Sequence, residues 1–210
     1  MSPSRPRKFQ TRGFGLIEVM LASIVLAVGL LSAGVLAGQM MAGTNRSKYM
    51  HAASTLASEK LEDLNRWDVA DPKICVPTGN TTAGSLTTDV NQTTTCPQGA
   101  SANVSYYDDI YPNLADGSSS CPDGTAGCFA ETVASVAGGT TTYTTTTYSP
   151  TGTLRTSNGS SLPAGAHFHR RWIIEGNSPA NGVRRITVLT NLTNSAVTPA
   201  VNFQMSIVRP

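Results

Sequence analysis

Four groups of residues in this 210-residue chain have the types and spacing to do chemistry. The first is Glu18, the single charge in an apolar run from Phe14 to Gly38. A carboxylate at the centre of a membrane helix costs roughly 2.5–3.5 kcal/mol. Near one end the cost is lower, but the group still calls for a cationic partner. The second is a set of four cysteines, Cys75, Cys96, Cys121 and Cys128. The third is His167 and His169, either side of Phe168; on a strand they share one face, as two zinc ligands would. No third ligand is apparent, so a surface strand is expected. The fourth is Asp108, Asp109, Asp116 and Asp123, in a stretch read as loop, where carboxylates can gather around calcium. The ordered spacing of an EF-hand is missing there. No nucleophile–base pair, phosphate loop or metal motif is found, so neither an enzyme nor a cofactor is expected.

The elements that must carry these groups are uneven in clarity. Residues 1–13 are polar and basic, with Pro3 and Pro6. The 25 residues from Phe14 to Gly38 exceed the roughly 20 needed to span the hydrocarbon core. Helix is predicted to continue to Trp67, because Tyr49, Ala53, Leu56, Leu61 and Leu64 recur at near-helical spacing. Lys48, Glu59, Lys60, Glu62 and Asp63 are placed on its other faces, and Asp71-Pro72 is read as its stop. Residues 72–165 are rich in Thr, Ser, Gly, Asn and Pro. The run from Thr140 to Tyr148 suits either a strand or a low-complexity loop. Strands are predicted at 168–174, 183–192 and 201–208, with a turn between Gly176 and Gly182. These form an antiparallel sheet against the amphipathic half of the helix. The expected class is α+β: a long N-terminal helix, its first half transmembrane, on a small antiparallel sheet with a loop-rich insertion. The expected divisions are 1–13, 14–67 (14–38 in the membrane) and 68–210.

Charge narrows the function. The formal net charge is +2, from 15 basic and 13 acidic residues. Arg5, Arg7, Lys8 and Arg12 crowd the first dozen positions; without them 11 basic residues face 13 acidic ones. The basic patch thus belongs to the flank of the apolar run and reads as a cytoplasmic retention signal. No nucleic-acid partner is expected. The lipid bilayer is. The cysteines then face the periplasm, where disulfides persist. Four cysteines allow three connectivities. Pairing of sequence neighbours, Cys75–Cys96 and Cys121–Cys128, is expected because each closes a short loop rich in Gly and Thr.

An ordinary signal peptide shares the basic start and apolar middle. Its apolar core is shorter, about 7–15 residues, and an acid so near the start is unusual. A plain signal anchor leaves Glu18 unexplained. The junction Gly13-Phe14-Gly15-Leu16-Ile17-Glu18 resembles the N-terminal motif of type IV prepilins and type II secretion pseudopilins, usually Gly-Phe-(Thr or Ser)-Leu-Ile-Glu. The run from Val19 to Ser32 and the strand Arg171-Trp172-Ile173-Ile174 are similar to the PilV-type minor pilins, also called type IV pilus modification proteins. The resemblance covers about residues 8–67 and 168–208 and not the middle.

The resemblance implies a type IV pilin-like fold and a set of roles. Gly13 precedes the bond cut by a prepilin peptidase, and Phe14 becomes an N-methylated N-terminus. Glu18 pairs with the Phe14 ammonium of a neighbouring subunit. The partners are other major and minor pilins and the inner-membrane pilus assembly machinery. The location is the bacterial inner membrane, single-pass with the C-terminal domain in the periplasm, and then the pilus and cell surface. Gly15 departs from the pattern and is expected to weaken helix by about 1 kcal/mol relative to alanine. Gly34 and Gly38 suit close helix packing. Two other readings stay open: a type II secretion pseudopilin, and a membrane-anchored tip adhesin whose middle region binds a ligand.

Overall fold

The computed structural model describes residues 15–112, 128–148, 152, 154–165, 167–193, 197 and 199–210. The predicted helix is α1, Leu16–Arg66. It stops before Asp71-Pro72 because two aspartates offer the backbone local partners instead. Asp68 accepts from the Ala70 N–H at 2.9 Å and Asp71 from the Lys73 N–H at 2.8 Å.

By packing, the chain divides into two units between Asn45 and Arg46. In the first, α1 is apolar on every face, and Leu16, Ile17, Leu21, Val25, Leu31 and Met40 are all exposed. This segment is long and apolar enough to cross a membrane and is compatible with a single-pass anchor. Its few hydroxyls are satisfied within the helix: Ser23, Ser32 and Thr44 donate to the carbonyls of Met20, Gly29 and Met40, each at 2.9 Å. Lipid offers no such partner, so the internal bond removes the penalty.

Among the described residues, the second unit holds the rest of α1 and ten strands. They are β1 (Thr82–Gly84), β2 (Asn91–Thr95), β3 (Ser101–Ser105), β4 (Tyr107–Pro112), β5 (Phe129–Ala137), β6 (Thr140–Tyr148), β7 (Leu154–Gly159), β8 (His167–Gly176), β9 (Arg184–Thr193) and β10 (Asn202–Arg209). Eight form one antiparallel sheet in the order β10-β9-β8-β4-β5-β6-β7, with β1 also on β8; β2 and β3 form a separate hairpin. The three predicted C-terminal strands are therefore one part of the sheet. The middle is not only a loop-rich insertion: it supplies β1 and β4 to β7 of this sheet. Thr140–Tyr148 is a strand paired on both sides. Its neighbours explain why periodicity left this open. The buried positions of β5, on the face away from α1, are Ala130, Thr132 and Ala134, and Thr132 shares a hydroxyl contact of 3.0 Å with Thr145. Small and hydroxyl side chains do the packing that large apolar ones usually signal.

The helix docks through Ala53, Ala57, Leu61 and Leu64, spaced four, four and three apart on one stripe. Ala57, Leu61 and Leu64 join Trp172, Ile174, Ile186 and Val188 in one core cluster. Ala53 joins Ile110, Phe168 and Val201 in another, with Tyr49 and Leu56 at its margin. On β10, Phe203 and Ile207 pack inward as the alternation predicts, whereas Met205 stays 40 % exposed.

The segment after α1 is stapled to the end of β2 by the predicted Cys75–Cys96 disulfide, which closes a separation of 21 residues. Cys128 is disulfide-bonded as well; Cys121 lies outside the described residues. The β2–β3 hairpin is held on β5 by side chains: Asn91 donates to Ala134 O and Asn103 to Val136 O, each at 3.0 Å, and Ser105 also donates to Ala134 O.

Gly84 shows how closely β1 approaches β8. Its φ is +80°, and a Cβ there meets the Trp172 carbonyl oxygen and, at 2.7 Å, the ring of the fully buried Tyr106. Gly84→Ala combines left-handed backbone strain with overpacking. It should destabilise the second unit by about 3 kcal/mol, read as a lower urea midpoint. An unchanged midpoint contradicts the packing described.

Candidate functional site

The junction motif begins in the described residues at Gly15; Gly13 and Phe14 lie outside them. Gly15 precedes the first helical residue and so occupies the N-cap position. Its carbonyl accepts from the N–H groups of Glu18 at 2.9 Å and Val19 at 3.3 Å. Glu18, three residues on, reaches back to the Gly15 N–H at 3.4 Å. This is half of a capping box, with the acid in the helix's first turn, where the dipole favours it. The expected penalty at Gly15 therefore changes: glycine at an N-cap costs only a few tenths of a kcal/mol relative to serine or threonine. One long bond uses little of the carboxylate's acceptor capacity.

The same alternation that builds the core places a second set of charged residues against α1. On β8, Phe168, Arg170 and Trp172 face the helix. Arg170 is opposite Asp108 on β4, and both are almost wholly buried. Its guanidinium donates to both Asp108 oxygens, at 2.6 and 2.8 Å, and to Glu131 at 2.9 Å. It also donates to the Leu56 carbonyl of α1 at 3.2 Å. Lys60 of α1 is 2.8 Å from Asp108 and 3.5 Å from Glu131. Its ammonium lies 4.4 Å above the Trp172 ring. Two cations and two carboxylates thus tie the helix to β4, β5 and β8.

The titration behaviour follows from this crowding. Burial alone lifts the Asp108 carboxyl, but the charges of Arg170 and Lys60 outweigh it and hold the group well below the usual carboxylate range. Burial and the neighbouring Asp108 push Glu131 up, against the pull of Lys60 and Arg170. Burial lowers Lys60, yet the Asp108 charge more than compensates and leaves it raised.

The sequence placed Lys60 on an outward face; it points inward, three positions from Ala57 and four from Leu64. It also placed Asp108 and Asp109 in a loop with calcium in view. They are adjacent on β4 and face opposite sides of the sheet, each already paired. Asp116 and Asp123 lie outside the described residues. His167 and His169 do share one strand face. Asp109 lies between them, with its Oδ1 2.6 Å from His169 Nδ1 and 3.3 Å from His167 Nε2. Among the described residues no group of three or more His, Cys, Asp or Glu has the geometry to hold a metal ion. In comparisons with known proteins, no family model, curated protein or solved structure matches this chain.

The buried cluster makes two measurable demands. Arg170→Met strands a buried carboxylate and should cost about 3–5 kcal/mol in urea unfolding. The double variant Asp108→Leu/Arg170→Met should cost less than Arg170→Met alone; additive losses contradict the pairing. The pH dependence has a definite sign. Asp108's folded pKa is depressed, so its contribution is complete above the ordinary carboxylate value and lost as pH falls toward the folded one. Glu131, with a raised pKa, works in the opposite direction. Stability should fall below about pH 4, and Asp108→Asn should flatten that part of the profile.

Proposed function

We propose that this chain is a prepilin-like subunit, a minor pilin that primes or joins a type IV pilus after a prepilin peptidase cuts between Gly13 and Phe14. The observation that carries the reading is one helix with two solvents. Its apolar first part starts within three residues of the junction, and its later part is bound to an antiparallel sheet. A subunit stored in a membrane and later extracted into a filament has that requirement. The exposed apolar surface is suited first to lipid and afterwards to the matching surfaces of other subunits.

Glu18 fits the assembly role on physical grounds. In the uncut chain it accepts from the Gly15 N–H. Cleavage creates an ammonium at Phe14, four residues away in sequence. A charge-assisted bond to such a cation is stronger than one to a neutral amide. In a filament the Phe14 ammonium of a neighbouring subunit offsets the carboxylate and fixes axial register. A type II secretion pseudopilin shares this N-terminus, and gene deletion separates the two: loss of surface pili and twitching marks the pilus subunit, loss of enzyme secretion the pseudopilin.

N-terminal mass spectrometry of the protein extracted from membranes is the direct test, and N-methyl-Phe14 is the expected terminus. Gly13→Ala should leave an uncut precursor; normal processing of that variant removes the peptidase reading. Glu18→Ala should still be cut and methylated but be depleted from purified filaments by about tenfold or more, as loss of a charged pair in low dielectric would give. Wild-type incorporation would make the carboxylate incidental.

A further inference from the structure

On the sheet face opposite α1, His169 projects between two carboxylates. Its Nδ1 is 2.6 Å from Asp109 Oδ1, and its Nε2 is 2.9 Å from Asp89 Oδ1. An ionised carboxylate only accepts hydrogen bonds, and a neutral imidazole has only one N–H to give. No neutral tautomer of His169 satisfies both contacts. The imidazolium, with two donors, does.

The surroundings complete the charge balance. Asp109 and Tyr107 reach the site from β4, and His167 and Arg171 from β8 itself. Tyr143 of β6 and the neutral Asn191 and Thr193 of β9 close the pocket. Asp89 comes from the loop between β1 and β2. Arg171 Nε donates to the same Asp89 oxygen at 2.7 Å. His167 stands beside the same carboxylate as His169, its Nε2 3.3 Å from Asp109 Oδ1 and its Nδ1 3.1 Å from the Gly165 carbonyl. Two carboxylates thus face Arg171 and the His169 imidazolium, with His167 alongside Asp109. Asp109 is almost wholly buried, whereas Asp89 is 44 % exposed. The proton toward Asp109 is the one retained, and the Nε2 proton toward Asp89 is the one that leaves.

We propose that His169 is a proton-operated latch: charged, it fastens the β1–β2 loop to the sheet through Asp89, and on losing its Nε2 proton it releases that loop. Once neutral, the Nε2 lone pair faces the Asp89 carboxylate, and Arg171 is left holding Asp89 alone. The loop is otherwise tied within itself by Ser85 with Thr87 and Thr88, and at its end by Val90, whose side chain packs against the core and whose carbonyl accepts from the Tyr106 N–H. The His169 pKa agrees with this direction. Burial lowers it, but the hydrogen bond and charge of Asp109, and then those of Asp89, leave it above the ordinary 6.5. A raised folded pKa means the hold is complete below the unfolded value and lost as pH rises through the folded one.

The chain has three histidines, His51, His167 and His169, so ring-nitrogen NMR on the full chain in detergent micelles is tractable. The titration runs from about pH 5 to about pH 10, with a chelator present throughout. At neutral pH both His169 ring nitrogens should carry protons, and its midpoint should exceed 6.5. Amide signals of residues 85–90 should move with that same midpoint. Asp109→Asn should raise the acid dissociation constant of His169 about tenfold or more. Asp89→Asn should leave His169 titrating and uncouple the loop. A single protonated nitrogen at neutral pH, or loop amides with no step at the His169 midpoint, overturns the latch. Should Asp109→Asn fail to fold, the wild-type titration alone decides.

Discussion

Arg170 cannot occupy the core of this sheet alone. A guanidinium so buried needs a carboxylate in the same layer, and β4 supplies Asp108 directly across the strand pair. Asp108 then attracts Lys60, which turns a residue of α1 inward, and Glu131 fixes the position of β5. The helix seat, the β4–β8 pairing and the β5 register therefore answer to one electrostatic requirement. Buried ion pairs contribute little net stability compared with apolar packing of the same volume. What they supply here is selectivity of arrangement. An apolar stripe of two alanines and two leucines on α1 can slide along a greasy sheet at little cost. A helix that must bring Lys60 to Asp108, and the Leu56 carbonyl to Arg170, has one seat.

How much of this was legible in the sequence depended on which signal carried each element. The apolar run and its amphipathic continuation announced α1 to within two residues at either end. The C-terminal strands followed from alternation, and β8 and β9 lie within two residues of their predicted limits. The Cys75–Cys96 pair followed from spacing. The middle was poorly legible because β5 and β6 pack with alanine and threonine, so hydrophobic periodicity had little to register there. The charged cluster was missed for a related reason. Lys60 was placed on another face of the helix, and Arg170 was given no role, although it alternates with Phe168 and Trp172, two large apolar neighbours on the same face. That pattern was the available signal. Asp109 and His169 were noticed separately; only the β4–β8 register brings them opposite each other.

Gly15 illustrates how a local boundary alters an energetic argument. Inside a helix, glycine is a cost. One residue earlier it is an ordinary cap, and Glu18 three positions on is the group that capping favours. The acid has a local capping role in the first turn, through one long bond to the Gly15 N–H. A hydroxyl residue at position 15 would complete the reciprocal bond, in line with the Thr or Ser of the motif that the junction resembles.

The threonine strand β6 has a consequence for how the chain sorts itself between phases. β-branched residues favour extended backbone whether or not they are greasy, and threonine adds a hydroxyl to that preference. A strand central to its half of the sheet can thus be built from a segment that hydrocarbon would not select. Insertion into a bilayer is decided segment by segment on transfer free energy. The stretch that becomes β6 does not compete with α1 for that choice. The polypeptide can carry a broad sheet while, among the described residues, α1 is the one helix long and apolar enough to cross a membrane.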